Sequence, residues 1–254
     1  MACSKCAAHF MIITEPATAI SRVSWDTERG GILPAAAEQF SLAFDMQQAL
    51  VGGAVFEGVP LPAELHDATA GRRLHFLAGR FCAMEALRRL DPQRPPTMVS
   101  RTERGAPIWP SGVVGSITHT DGFVSAAVAR ADEARSLGID SERIVNSEQA
   151  RRVSTHVSWP SELMHGRQAG LDRLQSITLV FSAKEAIFKC LYPLIGAMFY
   201  YHDVRIEGIE AATRMFRARL VKTLSSEFPA GMLVEGRFDL SESLVHTGVW
   251  LAVC

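Results

Sequence analysis

The chain has 254 residues, 48% hydrophobic and 21% charged, enough for one large domain or two small ones sharing a core. Its 26 basic and 27 acidic residues, a net charge of −1, lack the basic excess of a bulk nucleic-acid binder, so no nucleic-acid partner is expected. No stretch approaches the ~18 consecutive apolar residues of a membrane span, and the run Phe10–Thr14 is too short for a secretory signal, so a cytoplasmic protein is expected. Five scattered cysteines do not form a disulfide framework. Cys3-x-x-Cys6-x-x-His9 has zinc-like spacing but no second close pair to complete four ligands, so two reduced thiols are the expectation.

Short strands are expected near Phe10–Ile13 and Ala54–Phe56, with a helix over Ala35–Leu50. Residues 72–90 predict a helix, because Leu74, Leu77, Phe81, Met84 and Leu87 recur every three or four positions and Asp91-Pro92 stops it. A Pro-, Arg- and Gly-rich loop follows over 91–112. Val113–Thr118 and Phe123–Arg130 predict two strands joined at Thr120-Asp121-Gly122. The charged stretch Asp132–Arg135 is the expected boundary, dividing the chain into 1–131 and 132–254, and Leu137–Ile144 predicts a further strand. Residues 161–175 read as helical, and Phe181–Leu191 as a stronger helix ended by Tyr192-Pro193. Arg214–Val221, Met232–Leu240 and Leu244–Val253 predict antiparallel strands. Helices and strands without regular βα alternation indicate an α+β fold.

Two stretches carry acidic chemistry. In Gly138-Ile139-Asp140-Ser141-Glu142, strand alternation puts Asp140 and Glu142 on one face. Two carboxylates this close repel and need a counter-ion, for which a hard divalent cation suits an all-oxygen site. In Phe181–Lys189, Glu185 and Lys189 stand at i and i+4, adding a third carboxylate and an ammonium from one helix face. Each pattern alone is also that of an ordinary solvated surface.

The cations cluster earlier. Arg72, Arg73 and Arg80 sit around one helix, with Arg73 and Arg80 seven apart and nearly on one face. Guanidinium forks suit phosphate recognition. Arg104-Gly105-Ala106-Pro107 is a rigid loop whose glycine admits a ligand to the backbone. His119 ends a short strand as a candidate donor to a phosphate, though a lone histidine near a turn is also commonly structural or exposed.

In order and spelling these pieces resemble the Sfp-type 4′-phosphopantetheinyl transferases, most closely the branch with the enterobactin-synthase component D proteins. The resemblance rests on ArgArgLeuHisPheLeuAlaGlyArg at 72–80, ArgGlyAlaProIleTrpPro at 104–110, GlySerIleThrHis at 115–119, GlyIleAspSerGlu at 138–142 and PheSerAlaLysGluAlaIlePheLys at 181–189. It covers residues 60 to 200, and the last two motifs, about 40 residues apart, are the most specific.

The resemblance implies two similar α+β halves packed as a pseudo-dimer within one chain, with the active site between them. A pseudo-dimeric chain has less need of a partner copy, so a monomer is expected. The implied substrates are coenzyme A and an apo acyl or peptidyl carrier protein, the products 3′,5′-ADP and the holo carrier, and the cofactor Mg²⁺, with Mn²⁺ as the alternative. Asp140, Glu142 and Glu185 match the metal carboxylates, and Ser141, at an intervening position that varies, joins the metal set with its backbone or a water completing that side of the ion. Arg72, Arg80 and the loop Arg104, Gly105, Ala106, Pro107 match coenzyme A contacts. Thr118 and His119 match phosphate contacts, and Lys189 a pyrophosphate-binding lysine. Glu185, Lys189 and His119 are the expected catalytic groups. Lys184, turned about 100° from Glu185 on the helix, is assigned to local structure or to guiding the carrier. Leu194–Tyr200 is left as pantetheine tunnel, carrier contact or core loop. The residues alone also admit a metal-dependent phosphohydrolase and a non-catalytic coenzyme A-binding module.

Overall fold

A computed structural model describes residues 20–23, 31–51 and 56–253. The Cys3/Cys6/His9 cluster and the Phe10–Ile13 strand lie outside the described residues, as does most of Ala54–Phe56. The first half contains β1 (Ile20–Val23), β2 (Glu38–Phe44), α1 (Met46–Val51) and α2 (Ala70–Leu90). A short ribbon, β3 (Ser100–Arg101) with β4 (Pro107–Ile108), leads into β5 (Val113–Thr120) and β6 (Phe123–Arg130). The second half runs β7 (Ala134–Arg143), α3 (Ser147–Val157), α4 (Pro160–Gln168), α5 (Arg173–Ile195), β8 (Val204–Glu210), β9 (Met215–Leu220), β10 (Leu233–Leu240) and β11 (Leu244–Ala252).

The strands form two antiparallel sheets, β1-β2-β6-β5 and β7-β11-β10-β9-β8, beside the two-stranded ribbon. Each sheet carries one long helix. Phe81, Cys82 and Leu87 of α2 pack with Phe40 and Leu42 of β2 and Val124 and Val128 of β6. Ile187, Cys190 and Leu191 of α5 pack with Phe216, Val234 and Val245 of the second sheet. This repetition is the α+β pseudo-dimer. A third apolar cluster joins the halves, with Ala127 and Ala129 from β6 against Leu137 and Ile139 from β7.

The edges of the sheets meet through side chains. Ser116 Oγ on β5 accepts the Ile139 N–H of β7 at 3.1 Å, and Thr118 Oγ1 accepts the Ser141 N–H at 2.9 Å. Hydroxyls on one edge thereby satisfy backbone donors on the other, and neither edge is left bare.

Several expectations are corrected. The helix foreseen over Ala35–Leu50 is strand β2 followed by the short α1. Phe40, Leu42 and Phe44 alternate and all three are buried, and that period of two outweighs the helix-forming alanines. The helix foreseen over 161–175 ends at Gln168, and α5 begins at Arg173 under a capping box in which Asp172 accepts the Gln175 N–H at 2.8 Å. Tyr192-Pro193 does not stop α5. Pro193 falls in its last turn, and the helix ends at Gly196, whose φ of 70° suits glycine. Strands β1, β3, β4 and β8 and helix α3 are additional to what the sequence foresaw.

Candidate active site

The alternation of β7 decides which of its side chains meet α5. Ser136 donates to the Cys190 carbonyl at 2.6 Å, Gly138 lies against the α5 backbone, and Asp140 meets Lys189. A Cβ on Gly138 would stand 2.1 Å from the Ala186 oxygen and 2.5 Å from the Cys190 nitrogen. Glycine here brings the helix down onto the strand, and that close approach sets the carboxylates of β7 beside those of α5.

Lys189 Nζ donates to Asp140 Oδ1 at 2.7 Å, and Thr118 donates to the same oxygen at 3.2 Å. Asp140 is buried, and its Oδ2 has no hydrogen-bond partner. Burial and the charges of Asp140 and Glu185 push the Glu142 carboxyl up to about 8, against the pull of Lys189. Tyr201 donates to Glu185 Oε1 at 2.5 Å, and burial together with that carboxylate holds the phenol above its ordinary range. Among the described residues no three His, Cys, Asp or Glu side chains already converge to hold a metal ion. Lys189 and Tyr201 occupy one oxygen each of Asp140 and Glu185 in this arrangement. The donor set still fits a hard cation: all its ligating atoms are oxygens, one buried oxygen is orphaned, and the carboxylates repel one another.

The Ser141 hydroxyl is turned away from these carboxylates. It is on the opposite face of β7, where Oγ lies 2.5 Å from His246 Nδ1. There His246 also reaches the Asp140 carbonyl, at 3.0 Å, and Gln39 Nε2 of the first half, at 2.8 Å. Burial holds this imidazole down at about 3. The Thr118 hydroxyl accepts the Ser141 N–H and donates to Asp140, so it holds the carboxylate in place.

A cavity of about 480 Å³ lies between α2, β5 and the 101–107 segment. Arg72, Arg80, Gly105, Pro107 and His119 line it. Arg104 is exposed and not on its wall, and the Ala106 N–H is turned to Thr102 Oγ1 at 3.1 Å, closing the loop. Arg73 is turned back to the carbonyls of His66 and Ala68.

His75, Phe76 and Arg101 also line the cavity and escaped the sequence reading. Phe76 is flanked by two guanidinium groups, Arg80 at 5.0 Å and Arg101 at 5.6 Å from its centroid. Arg80 is buried, and its Nε has no partner. Burial and the charge of Arg101 lower Arg80 to about 10, and among the described residues no carboxylate pairs with it. A buried, unbalanced guanidinium calls for an anion. His75 and His119 stack with centroids 4.8 Å apart, and burial, His75 and Lys189 lower His119 to about 4, leaving it neutral at pH 7.

These shifts give a pH prediction for the metal-free protein. His119 and His246 have folded pKa values below 6.5, so the unfolded chain binds more protons and stability rises with pH up to about 6.5. Glu142 is raised from 4.5 to about 8, so the folded state holds its proton longer and stability falls as pH climbs through that window. Above pH 6.5 only the Glu142 effect remains of the three. Urea melts should therefore show stability declining from pH 6.5 to 8, and Glu142→Gln should remove the decline.

Two family profiles match the chain. The profile of the 4′-phosphopantetheinyl transferase N-terminal domain matches residues 61–129. That of the 4′-phosphopantetheinyl transferase superfamily matches residues 136–233. The chain is 36% identical over 234 residues to 4′-phosphopantetheinyl transferase Svp of Streptomyces mobaraensis, covering 90% of this chain and 87% of that one. It is 39% identical over 148 residues to 4′-phosphopantetheinyl transferase Npt of Nocardia iowensis, covering 57% and 64%. Enterobactin synthase component D of Escherichia coli K12 is 35% identical over 131 residues, covering 52% and 60%.

Proposed function

Because this chain belongs to the 4′-phosphopantetheinyl transferase superfamily and is an enzyme of that type, we propose that it moves the phosphopantetheine arm of coenzyme A onto a serine of an apo acyl or peptidyl carrier protein in the cleft between its halves, taken as 1–131 and 132–254. One observation carries the reading. The cation-lined cavity and the carboxylates of β7 and α5 share a boundary at His119, which lines the cavity and feels the charges of both Lys189 and Asp140. A nucleotide in that cavity would have its phosphates facing the carboxylates.

In the proposed reaction the serine oxygen bonds to the β-phosphorus of coenzyme A. The bond from that phosphorus to the bridging oxygen breaks, and 3′,5′-ADP leaves with that oxygen. Arg72, Arg80 and Arg101 hold the nucleotide phosphates. Lys189 and the neutral His119 donate hydrogen bonds to the leaving group as charge develops on it. Glu185 receives the serine proton through an intervening water, since a carboxylate oxygen that holds the cation is not itself a free base. Asp140, Glu142 and Glu185 would hold a divalent cation, taken as Mg²⁺ with Mn²⁺ as its substitute, which when bound neutralises pyrophosphate charge. No helix among the described residues is long and apolar enough to cross a membrane, and the proposed setting is a cytoplasmic monomer.

Arg72→Ala should mainly raise the KM for coenzyme A, by about ten-fold, as expected for loss of one charge-assisted contact. Steady-state kinetics at saturating carrier check this, and an unchanged KM removes Arg72 from the site. The test against a phosphohydrolase is release of 3′,5′-ADP. A transferase forms it one-for-one with modified carrier and only when carrier is present, whereas a hydrolase forms it from coenzyme A alone.

A further inference from the structure

Glu185 stands between two compartments. On one side are Asp140 and Glu142, for the charges of Asp140 and Glu185 both act on Glu142. On the other is an apolar pocket of about 160 Å³ walled by Phe188, Met198, Phe199, Tyr200 and Tyr201. A glutamate at such a boundary has three side-chain torsions to fix, and packing alone does not fix the carboxylate plane. Among the described residues one group hydrogen-bonds that carboxylate, the Tyr201 hydroxyl at 2.5 Å from Oε1.

Tyr201 is itself well held. Its ring meets Phe181 edge-on at 5.8 Å, one turn before Glu185 on α5. It opens the 3-10 turn Tyr201–Asp203, whose Asp203 carboxylate accepts the Tyr200 N–H at 2.7 Å and pairs with Lys222 at 2.8 Å. A phenol anchored at both ring and backbone makes a fixed donor. It engages one oxygen of Glu185 and leaves the other unbonded.

We propose that Tyr201 is a positioning residue for the transfer reaction: its hydroxyl locks the Glu185 carboxylate with Oε1 committed and Oε2 presented to the carboxylate side of the cleft. The inference rests on the reading of Glu185 given above. It adds a residue outside the five motifs, from the turn that follows α5, and makes the wall of the apolar pocket part of the catalytic geometry.

Tyr201→Phe keeps the ring and its contact with Phe181 and removes only the donor. A hydrogen bond to a charged group is lost, so kcat should fall by about ten-fold or more. The KM for coenzyme A should stay within about two-fold, because the arginine-lined cavity is untouched. The second readout needs no turnover: Mn²⁺ binding to the substrate-free protein, followed by electron paramagnetic resonance of the free ion. Tyr201→Phe should weaken it several-fold in the wild-type background and not further in a Glu185→Gln background, since the effect runs through Glu185. Wild-type kcat and Mn²⁺ affinity in Tyr201→Phe would overturn the proposal, as would equal weakening in both backgrounds. Absence of transfer by the wild-type enzyme would instead sink the function proposed above, while the Mn²⁺ cycle would still report whether Tyr201 and Glu185 are coupled.

Discussion

Asp140→Ala is expected to abolish transfer, with kcat falling by a factor of about 10³ or more, the scale of removing a preorganised charge from a reacting centre. Asp140 does three things at one point. It holds Lys189 at 2.7 Å, it receives Thr118 from the opposite sheet, and it offers a buried, unpartnered Oδ2. Alanine removes all three and leaves Lys189 free to swing toward Glu142. The fold should survive, because Asp140 contributes no apolar contact and β7 keeps its pairing with β11 and its hydroxyl bridges to β5. With the neighbouring charge gone, Glu142 should titrate closer to an ordinary carboxylate. Cooperative melting near wild type combined with lost activity is the expected pair of results. Retained activity would remove Asp140 from the chemistry.

The largest stability effect is expected one residue before Glu185. Lys184 is fully buried, and its ammonium meets Glu162 at 2.8 Å and the Val157 carbonyl at 2.8 Å. Glu162, equally buried, also accepts the backbone N–H groups of Trp159 at 2.6 Å and Ile206 at 2.7 Å. One ion pair therefore ties α3, α4, α5 and β8 together behind the active site. Lys184→Met fills the space but leaves an uncompensated buried carboxylate, which costs about 3–5 kcal/mol. For a chain of this size that lowers the melting temperature by about 10 °C. Lys184→Met with Glu162→Gln should recover much of the loss, since neither side then carries an unpaired charge. Calorimetry of the single and double variants checks this. A single variant that melts like wild type would contradict the role given to the pair, and Lys184 would return to the alternative of guiding the carrier.

The sequence announced the chemistry better than the scaffold. Asp140 and Glu142 share a face because strands alternate, and Glu185 and Lys189 share one because helices turn every 3.6 residues, so both pairs were readable from spacing. Alternation equally sends the Ser141 side chain the other way, to His246, so only its backbone stays beside the carboxylates. Thr118 and His119 are adjacent on β5 and therefore face opposite sides, one toward Asp140 and one into the cavity. What stayed hidden came from elsewhere in the chain. Arg101 reaches the cavity from the β3–β4 ribbon, Tyr201 from the turn after α5, and Gln39 and His246 meet across 207 positions. Single residues brought together by topology leave no periodic trace. The strand β2 did leave one, in Phe40, Leu42 and Phe44, but the alanines before it favoured a helix.

The most direct test is the intact mass of an apo carrier protein after incubation with this protein, coenzyme A and Mg²⁺, beside an EDTA control and a carrier whose serine is replaced by alanine. The account predicts a gain of one phosphopantetheine on the serine-bearing carrier alone, and only with the metal present. No gain on acyl or peptidyl carriers, with the enzyme folded and coenzyme A bound, would contradict it.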